Sequence, residues 1–285
     1  MFEEKKYLNL GCGKRYHPAW INMDIAPHDA NVIQNDLSGG IPLPDESCDV
    51  VYHAAMLEHL RQPDATALMA ECYRVLKPSG IIRVGVPDLE IICRIYLSCL
   101  SRAVNEEDDA VHDYDWIMLE LFDQIAREKS GGYMLDYLRQ NPLPHEDFIY
   151  ERIGEEGRQL VKALHNRSSD SFLDLFCKVK KGLSYLPALI KQHIQQIILS
   201  REDQRAIEIG RFRMCGEAHQ WMYDRYSLAR LLKQAGFRDP QVQDAKTSRI
   251  PDWTDFNLDT LPDGAVIKPD LFFMEAIKPG GTIYD

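Results

Sequence analysis

The most informative stretch of the chain is Tyr7-Leu8-Asn9-Leu10-Gly11-Cys12-Gly13. Its first four residues are a short apolar run, which predicts a buried strand, and its glycines predict a tight turn where the backbone can approach a ligand closely. A second apolar run reaches Asp24, eleven residues after Gly13 (24 − 13 = 11). A carboxylate at a strand end can accept hydrogen bonds from both ribose hydroxyls of an adenosine. The two features together predict an adenosine-binding unit.

Further apolar runs predict that a parallel sheet continues along residues 7–90. Gly, Pro or Asp bounds each run, as is usual for strands buried on both faces. The predicted strands after the first are Ile21–Ile25, Val32–Gln34, Cys48–His53 and Ile81–Val86. A helix is predicted between the last two, with Asp64 as its cap and Lys77–Gly80 as its end. Its apolar stripe is Leu68, Met69, Cys72, Val75 and Leu76.

The alternation of strands and helices stops after the fifth strand. Residues 92–215 show helical periodicity, most clearly at Asp115–Arg127 and Leu186–Leu199, and predict a large helical insertion. Residues 1–91 and 216–285 would then form the two parts of the α/β domain.

The alternation returns near the C-terminus with a helix at Ser227–Ala235 and strands at Pro240–Asp244 and Leu271–Ile277. The predicted fold class is therefore α/β, with a doubly wound, mostly parallel, seven-stranded sheet and a helical insertion after strand five.

Composition narrows the functional class. The net charge of −11 over 285 residues argues against a nucleic-acid partner, which needs clustered cations. Seven scattered cysteines without a C-x-x-C pair indicate reduced thiols, a cytoplasmic location and no metal site. No signal peptide is expected, and no apolar run reaches the ~20 residues of a membrane span.

The order of motifs resembles that of class I S-adenosylmethionine (SAM)-dependent methyltransferases. The tail is similar to a bacterial, type 11-like branch of them that is often associated with surface-polysaccharide synthesis. The motifs that carry the resemblance are Leu8–Gly13, Ile21–Ile25, Pro42–Val51, Met56–Leu60 and Glu71–Ile81, and in the tail His219–Asp224 and Lys268–Glu275.

The resemblance implies SAM as cofactor and a role for each matching residue. Gly11, Cys12 and Gly13 would surround the methionine part, and Asp24 would hold the ribose. The adenine would lie between Ile25, Asp36 and Leu37, and His53 and Ala54 would face the sulfonium side of the pocket.

Three features depart from the family pattern. Asn9 stands where an acidic residue is usual, so this contact to the ligand amine would be neutral, and Arg15 replaces a third glycine. The short spacing from Gly13 to Asp24 predicts that the first helix is a stub or absent. A pyrophosphate needs that helix N-terminus, so the spacing disfavours a NAD enzyme.

Three residues are candidates for a general base or a substrate contact. His219 lies where the insertion rejoins the core, Asp88 follows the fifth strand, and His59 lies at a helix entry. Each has a structural alternative: a packed or surface histidine, a capping aspartate, and packing at a helix start.

The expected reaction is methyl transfer to an O or N nucleophile of a small-molecule or sugar-containing (glycan-type) acceptor. The insertion would form a lid over the acceptor pocket. Alternatively it would form a homodimer interface through an apolar stripe at Leu186, Leu189, Ile190, Ile194, Ile197 and Ile198. Two other functions stay open: an NAD(P)-dependent oxidoreductase or sugar-nucleotide enzyme, and a non-catalytic SAM-binding protein.

Overall fold

The computed structural model describes residues 5–166 and 199–280. Within these ranges the chain forms one seven-stranded sheet in the order β3-β2-β1-β4-β5-β7-β6. Strands β1 to β5 are parallel to one another, and β7 is antiparallel to both β5 and β6. The predicted fold class is confirmed. The strands are β1 Tyr7–Leu10, β2 Ile21–Asp24, β3 Val32–Gln34, β4 Cys48–Ala54, β5 Leu76–Pro87, β6 Arg238–Gln243 and β7 Leu271–Ile277.

The largest boundary difference concerns β5, which begins at Leu76 instead of Ile81. The residues predicted to end the helix, Lys77–Gly80, are instead part of β5. Leu76 pairs with Cys48 of β4, and the Ser79 amide donates to the Lys278 carbonyl at 2.9 Å. The preceding helix, α1, spans Gln62–Val75 with Arg61 at its N-cap. The prediction that Asp64 is the cap is wrong, because a proline in the first turn starts the helix earlier.

One face of the sheet packs against two helices. Helix α1 buries the predicted apolar stripe, and the C-terminal helix, Arg225–Gln234, buries Leu228 and Leu232 against the same core. Asp224 caps this second helix by accepting from the Ser227 amide at 2.7 Å. The cluster joins sheet and helices into one hydrophobic core.

A long segment between β6 and β7 covers the opposite face. It contributes Trp253 to an aromatic cluster with Trp20 and Tyr52. Beside this cluster lies Arg83, a fully buried cation on β5. Its guanidinium pairs with Asp259 at 3.0 Å and with Glu275 at 2.8 Å.

The region after β5 is helical, as predicted. The helices described there are α2 Leu89–Val104, α3 Ala110–Ala126, α4 Gly132–Leu138, α5 Glu146–His165 and α6 Arg201–Arg213, so the C-terminal helix is α7. The predicted boundary at residue 92 lies inside α2, and the predicted helix Asp115–Arg127 lies mostly within α3. The apolar stripe from Leu186 to Ile198 lies outside the described residues. Nothing among the described helices is long and apolar enough to cross a bilayer.

Candidate functional site

The glycine turn after β1 adopts a backbone that only glycine takes easily. Gly11 and Gly13 have φ angles of 60° and 53°, in the left-handed region. A Cβ on Gly11 would lie 2.6 Å from Cγ of Met56, whereas a Cβ on Gly13 would meet no atom within 4 Å. Gly11 is thus required by packing, and the space beside Gly13 is open to a ligand.

Two asparagines hold the loop that replaces the first helix. No helix forms between β1 and β2, where every residue is described, as the short spacing predicts. The Asn9 side-chain amide donates to the Arg15 carbonyl at 3.0 Å and to Asn22 Oδ1 at 3.2 Å. Asn22 in turn donates to the carbonyls of His17 and Trp20. Buried amides therefore fix the loop from inside.

A direct hydrogen bond joins the glycine turn to the carboxylate at the end of β2. The Gly13 amide donates to Asp24 Oδ2 at 2.8 Å, and the Ala26 amide donates to Asp24 Oδ1 at 2.8 Å. An ionised carboxylate has about four acceptor positions. Asp24 therefore keeps capacity for further donors such as hydroxyl groups.

A cavity of about 720 Å³ opens at this edge of the sheet. Its volume lies within the ~300–1,000 Å³ usual for small-molecule sites. Its walls come from the glycine turn, the end of β4, helix α5 and the segment around β7. Five of the predicted cofactor residues line it: Asn9, Gly11, Cys12, Gly13 and Ala54.

The other predicted cofactor residues lie off the cavity wall. Asp24 is joined to that wall through Gly13, and the Ile25 side chain is 56% exposed. Asp36 caps a 3₁₀ turn by accepting from the Ser38 amide at 3.0 Å, which lowers the pKa of its carboxyl. Leu37 packs against the core.

His53 does not line the cavity, and its contact with the cofactor stays a prediction. Side chains alternate between the faces of a strand, and Tyr52 and Ala54 form the cavity wall. His53 therefore points to the opposite face, where it is fully buried.

Charged residues that the sequence analysis did not select form one wall of the cavity. Glu156, on α5, lies 3.6 Å from Arg15 and 3.8 Å from Lys268. Tyr52 donates its hydroxyl proton to Asp259, which also pairs with Arg83. These contacts join residues that are far apart in sequence, so no local sequence pattern predicts them.

The three predicted catalytic residues do not line this cavity. Asp88 caps α2 by accepting from the Ile91 amide at 3.0 Å. His59 and His219 pack edge to face, with ring centroids 4.7 Å apart. Burial lowers the pKa of His59 to about 4 and that of His219 to about 2. A base works best with a pKa near the working pH, so this environment disfavours general-base catalysis by either histidine, and the catalytic roles stay predictions.

Sequence likeness to known proteins covers only part of the chain. The family model of the methyltransferase domain matches residues 8–84. A probable S-adenosylmethionine-dependent methyltransferase of Mycolicibacterium smegmatis is 44% identical over 48 residues, which are 17% of this chain and 18% of that protein. The chain thus matches less than a fifth of the length of this curated relative.

Solved structures show distant likeness over nearly the whole chain. A SAM-dependent methyltransferase from Thermotoga maritima, described as a possible histamine N-methyltransferase, is 12% identical with a TM-score of 0.37, covering 98% of this chain and 84% of that one. A SAM-dependent methyltransferase from Archaeoglobus fulgidus is 13% identical with a TM-score of 0.37, covering 96% and 86%. The fold assignment therefore rests on the strand order of the chain itself.

Proposed function

We propose that this chain, whose residues 8–84 belong to the methyltransferase domain family, is a SAM-dependent methyltransferase. The motifs predict that family, and the matching family model confirms it over this stretch. One observation supports the activity above all: the hydrogen bond from Gly13 to Asp24 brings the glycine turn and the strand-end carboxylate to one edge of the sheet.

The residues at this edge fit the chemical groups of SAM. The open space beside Gly13 leaves room for the methionine part, and Asp24 retains acceptor capacity for the ribose hydroxyls. Arg15 and Lys268 are cations on the cavity wall that suit the methionine carboxylate. Ile25, Asp36 and Leu37, at the outer end of the site, stay our predicted adenine contacts.

The acceptor in this proposal is a small molecule or a sugar-containing compound with an O or N nucleophile. Helix α5 supports this choice, because its residues Glu156, Gln159, Leu160 and Ala163 narrow the cavity from the side of the insertion. The chain's net charge of −11 offers little attraction to nucleic acid. We propose that the helical region serves as the lid over the acceptor.

SAM supplies a methyl group that its positively charged sulfur has already activated. When bound, SAM would supply this methyl group, and the chain's residues would hold the acceptor nucleophile in line with it and take up the acceptor's proton. The protein therefore acts mainly by positioning the two reactants and excluding water. We assign the role of general base, which accepts the acceptor's proton, to Glu156. Its carboxylate lies on the cavity wall, whereas the three predicted bases do not.

The proposal includes a cytoplasmic location. None of the six cysteines within the described ranges forms a disulfide, which suits a reducing compartment.

Ligand titration and product analysis test the proposal. Isothermal titration with SAM, S-adenosylhomocysteine and NAD should give heat with the first two and none with NAD. Mass spectrometry should then show one added methyl group on a member of a panel of hydroxyl, amine and sugar acceptors. Binding of NAD without SAM would indicate the oxidoreductase alternative. Tight SAM binding with no methylated product across the panel would indicate the non-catalytic one.

A further inference from the structure

We propose that Glu58, His59 and His219 bind one divalent transition-metal ion. Glu58 and His59 end the 3₁₀ turn Leu57–His59 that follows β4, and His219 lies where the helical region returns to the core. One carboxylate oxygen and two imidazole nitrogens from these residues all lie within 4.8 Å of one another. No local sequence pattern predicts this site, because the third ligand is distant in the chain.

Each of the three side chains has a buried polar atom without a hydrogen-bond partner. Glu58 is 1% exposed and His219 is 4% exposed. Glu58 Oε2, His59 Nδ1 and His219 Nδ1 have no partner within the part of the chain that the structure describes. Leaving such a group unsatisfied is unfavourable. A cation held by the three side chains would supply the missing partners.

The backbone holds the two ligand-bearing segments together without the metal. The amides of Gln220 and Trp221 both donate to the Glu58 carbonyl, at 2.7 and 3.2 Å, and the His219 amide donates to the Gln124 carbonyl at 2.9 Å. The three side chains are therefore preorganised, and a small inward movement brings them to coordination distance.

The donor set selects the kind of metal. Two imidazoles and one carboxylate form a ligand set that binds Zn²⁺ and leaves a fourth position open. Imidazole ligands favour Zn²⁺, Co²⁺ and similar ions over Mg²⁺ and Ca²⁺.

The surrounding charges are mixed. The positive charges of Lys268 and Arg127 interact electrostatically with both histidines, and the negative charge of Asp270 interacts with Glu58. Lys268 also lines the cavity. The cluster therefore lies close behind the cavity wall, and a metal there would clamp the returning segment to the end of β4.

The test uses the full chain after removal of metal by a chelator. Titration with Zn²⁺ followed by calorimetry should show one equivalent bound, and Co²⁺ should give visible d–d absorption without a thiolate charge-transfer band. His59→Gln, His219→Gln and Glu58→Gln should each weaken binding by about 100-fold, since loss of even an outer-shell partner costs ~10–100-fold.

His53→Gln is the matched control. His53 is also fully buried with both ring nitrogens unpartnered, but it belongs to no metal-ligand cluster among the described residues. This variant should bind Zn²⁺ like the native chain. Circular dichroism would confirm that each variant is folded, and the result does not depend on SAM binding. The proposal is overturned by no saturable binding, by a thiolate band with Co²⁺, or by equal binding in the three ligand variants and the native chain.

Discussion

The sheet domain and the helical region after β5 are stabilised differently. The sheet core is a continuous apolar cluster between the strands and helices α1 and α7. The helical region has smaller apolar clusters and buried ion pairs such as Arg152 with Glu120 and Arg127 with Asp123, whereas the sheet groups its buried charges around Arg83. Apolar burial is non-directional, whereas buried pairs require defined geometry. We expect the sheet to serve as the platform for the proposed cofactor and the helical region as a wall whose shape depends on its ion pairs.

The largest effect is expected where the sheet domain depends on a buried charge. Arg83→Met would leave Asp259 and Glu275 buried without their shared cation. We expect the free energy of unfolding to fall by about 3–5 kcal/mol, measured in urea. Arg94→Met, which removes an exposed ion pair with Glu90 on α2, should change the free energy of unfolding far less. Equal losses in the two variants would contradict the assigned role of Arg83.

Removing a buried ion pair from the helical region tests whether the two regions unfold independently. Arg152→Met removes the partner of Glu120, and we expect a local loss of about 3 kcal/mol. Hydrogen exchange should accelerate in α3 and α5 while β1, β4 and β5 keep their protection. Acceleration throughout the sheet would show instead that the chain unfolds as one unit.

The glycine turn predicts a large effect on cofactor binding. Gly11→Ala forces an unfavourable φ and a clash with Met56, so SAM affinity should fall by about 100-fold, or roughly 2.7 kcal/mol. Gly39→Ala is the control, because a Cβ there meets no atom within 4 Å. Calorimetric titration compares the two. Unchanged affinity in Gly11→Ala would remove the turn from the cofactor site.

A smaller effect tests the wall that α5 provides. Glu156→Gln keeps the shape of the side chain but removes its charge and its capacity as a base, so kcat should fall about tenfold or more. Glu208→Gln, an exposed site on α6, serves as the control. If Glu156→Gln transfers methyl groups at the native rate, a group other than Glu156 accepts the acceptor's proton.

The smallest effect concerns pH and the packing of α1. Hydrogen bonds from Arg74 and from the Ile41 amide lower the pKa of Glu71 to about 2. The stabilisation is fully present above the ordinary value near 4.5 and is lost as pH falls toward 2. Glu71→Gln should cost about 1 kcal/mol at pH 7, and the difference from the native chain should shrink below pH 4.5. A constant difference across this range would rule out the ionised carboxylate as the cause.

Much of the sheet and part of the site could be predicted from the sequence. Strands such as Tyr7–Leu10 and Leu271–Ile277 were predictable to the residue because apolar runs bounded by turn residues are local signals. The glycine turn was recognisable for the same reason.

The remainder depends on contacts between distant segments. Arg83 looks like an ordinary strand residue until Asp259 and Glu275 surround it, and Glu156 reaches Lys268 only through the packing of α5. The orientation of His53 follows from strand register, which the run Cys48–His53 alone does not fix.

The loop between β1 and β2 has a consequence for robustness. Its internal anchors, Asn9 and Asn22, are amides, and an amide neither gains nor loses a proton over the range in which proteins stay folded. The inner anchoring of this loop should therefore stay the same from acid to alkaline conditions.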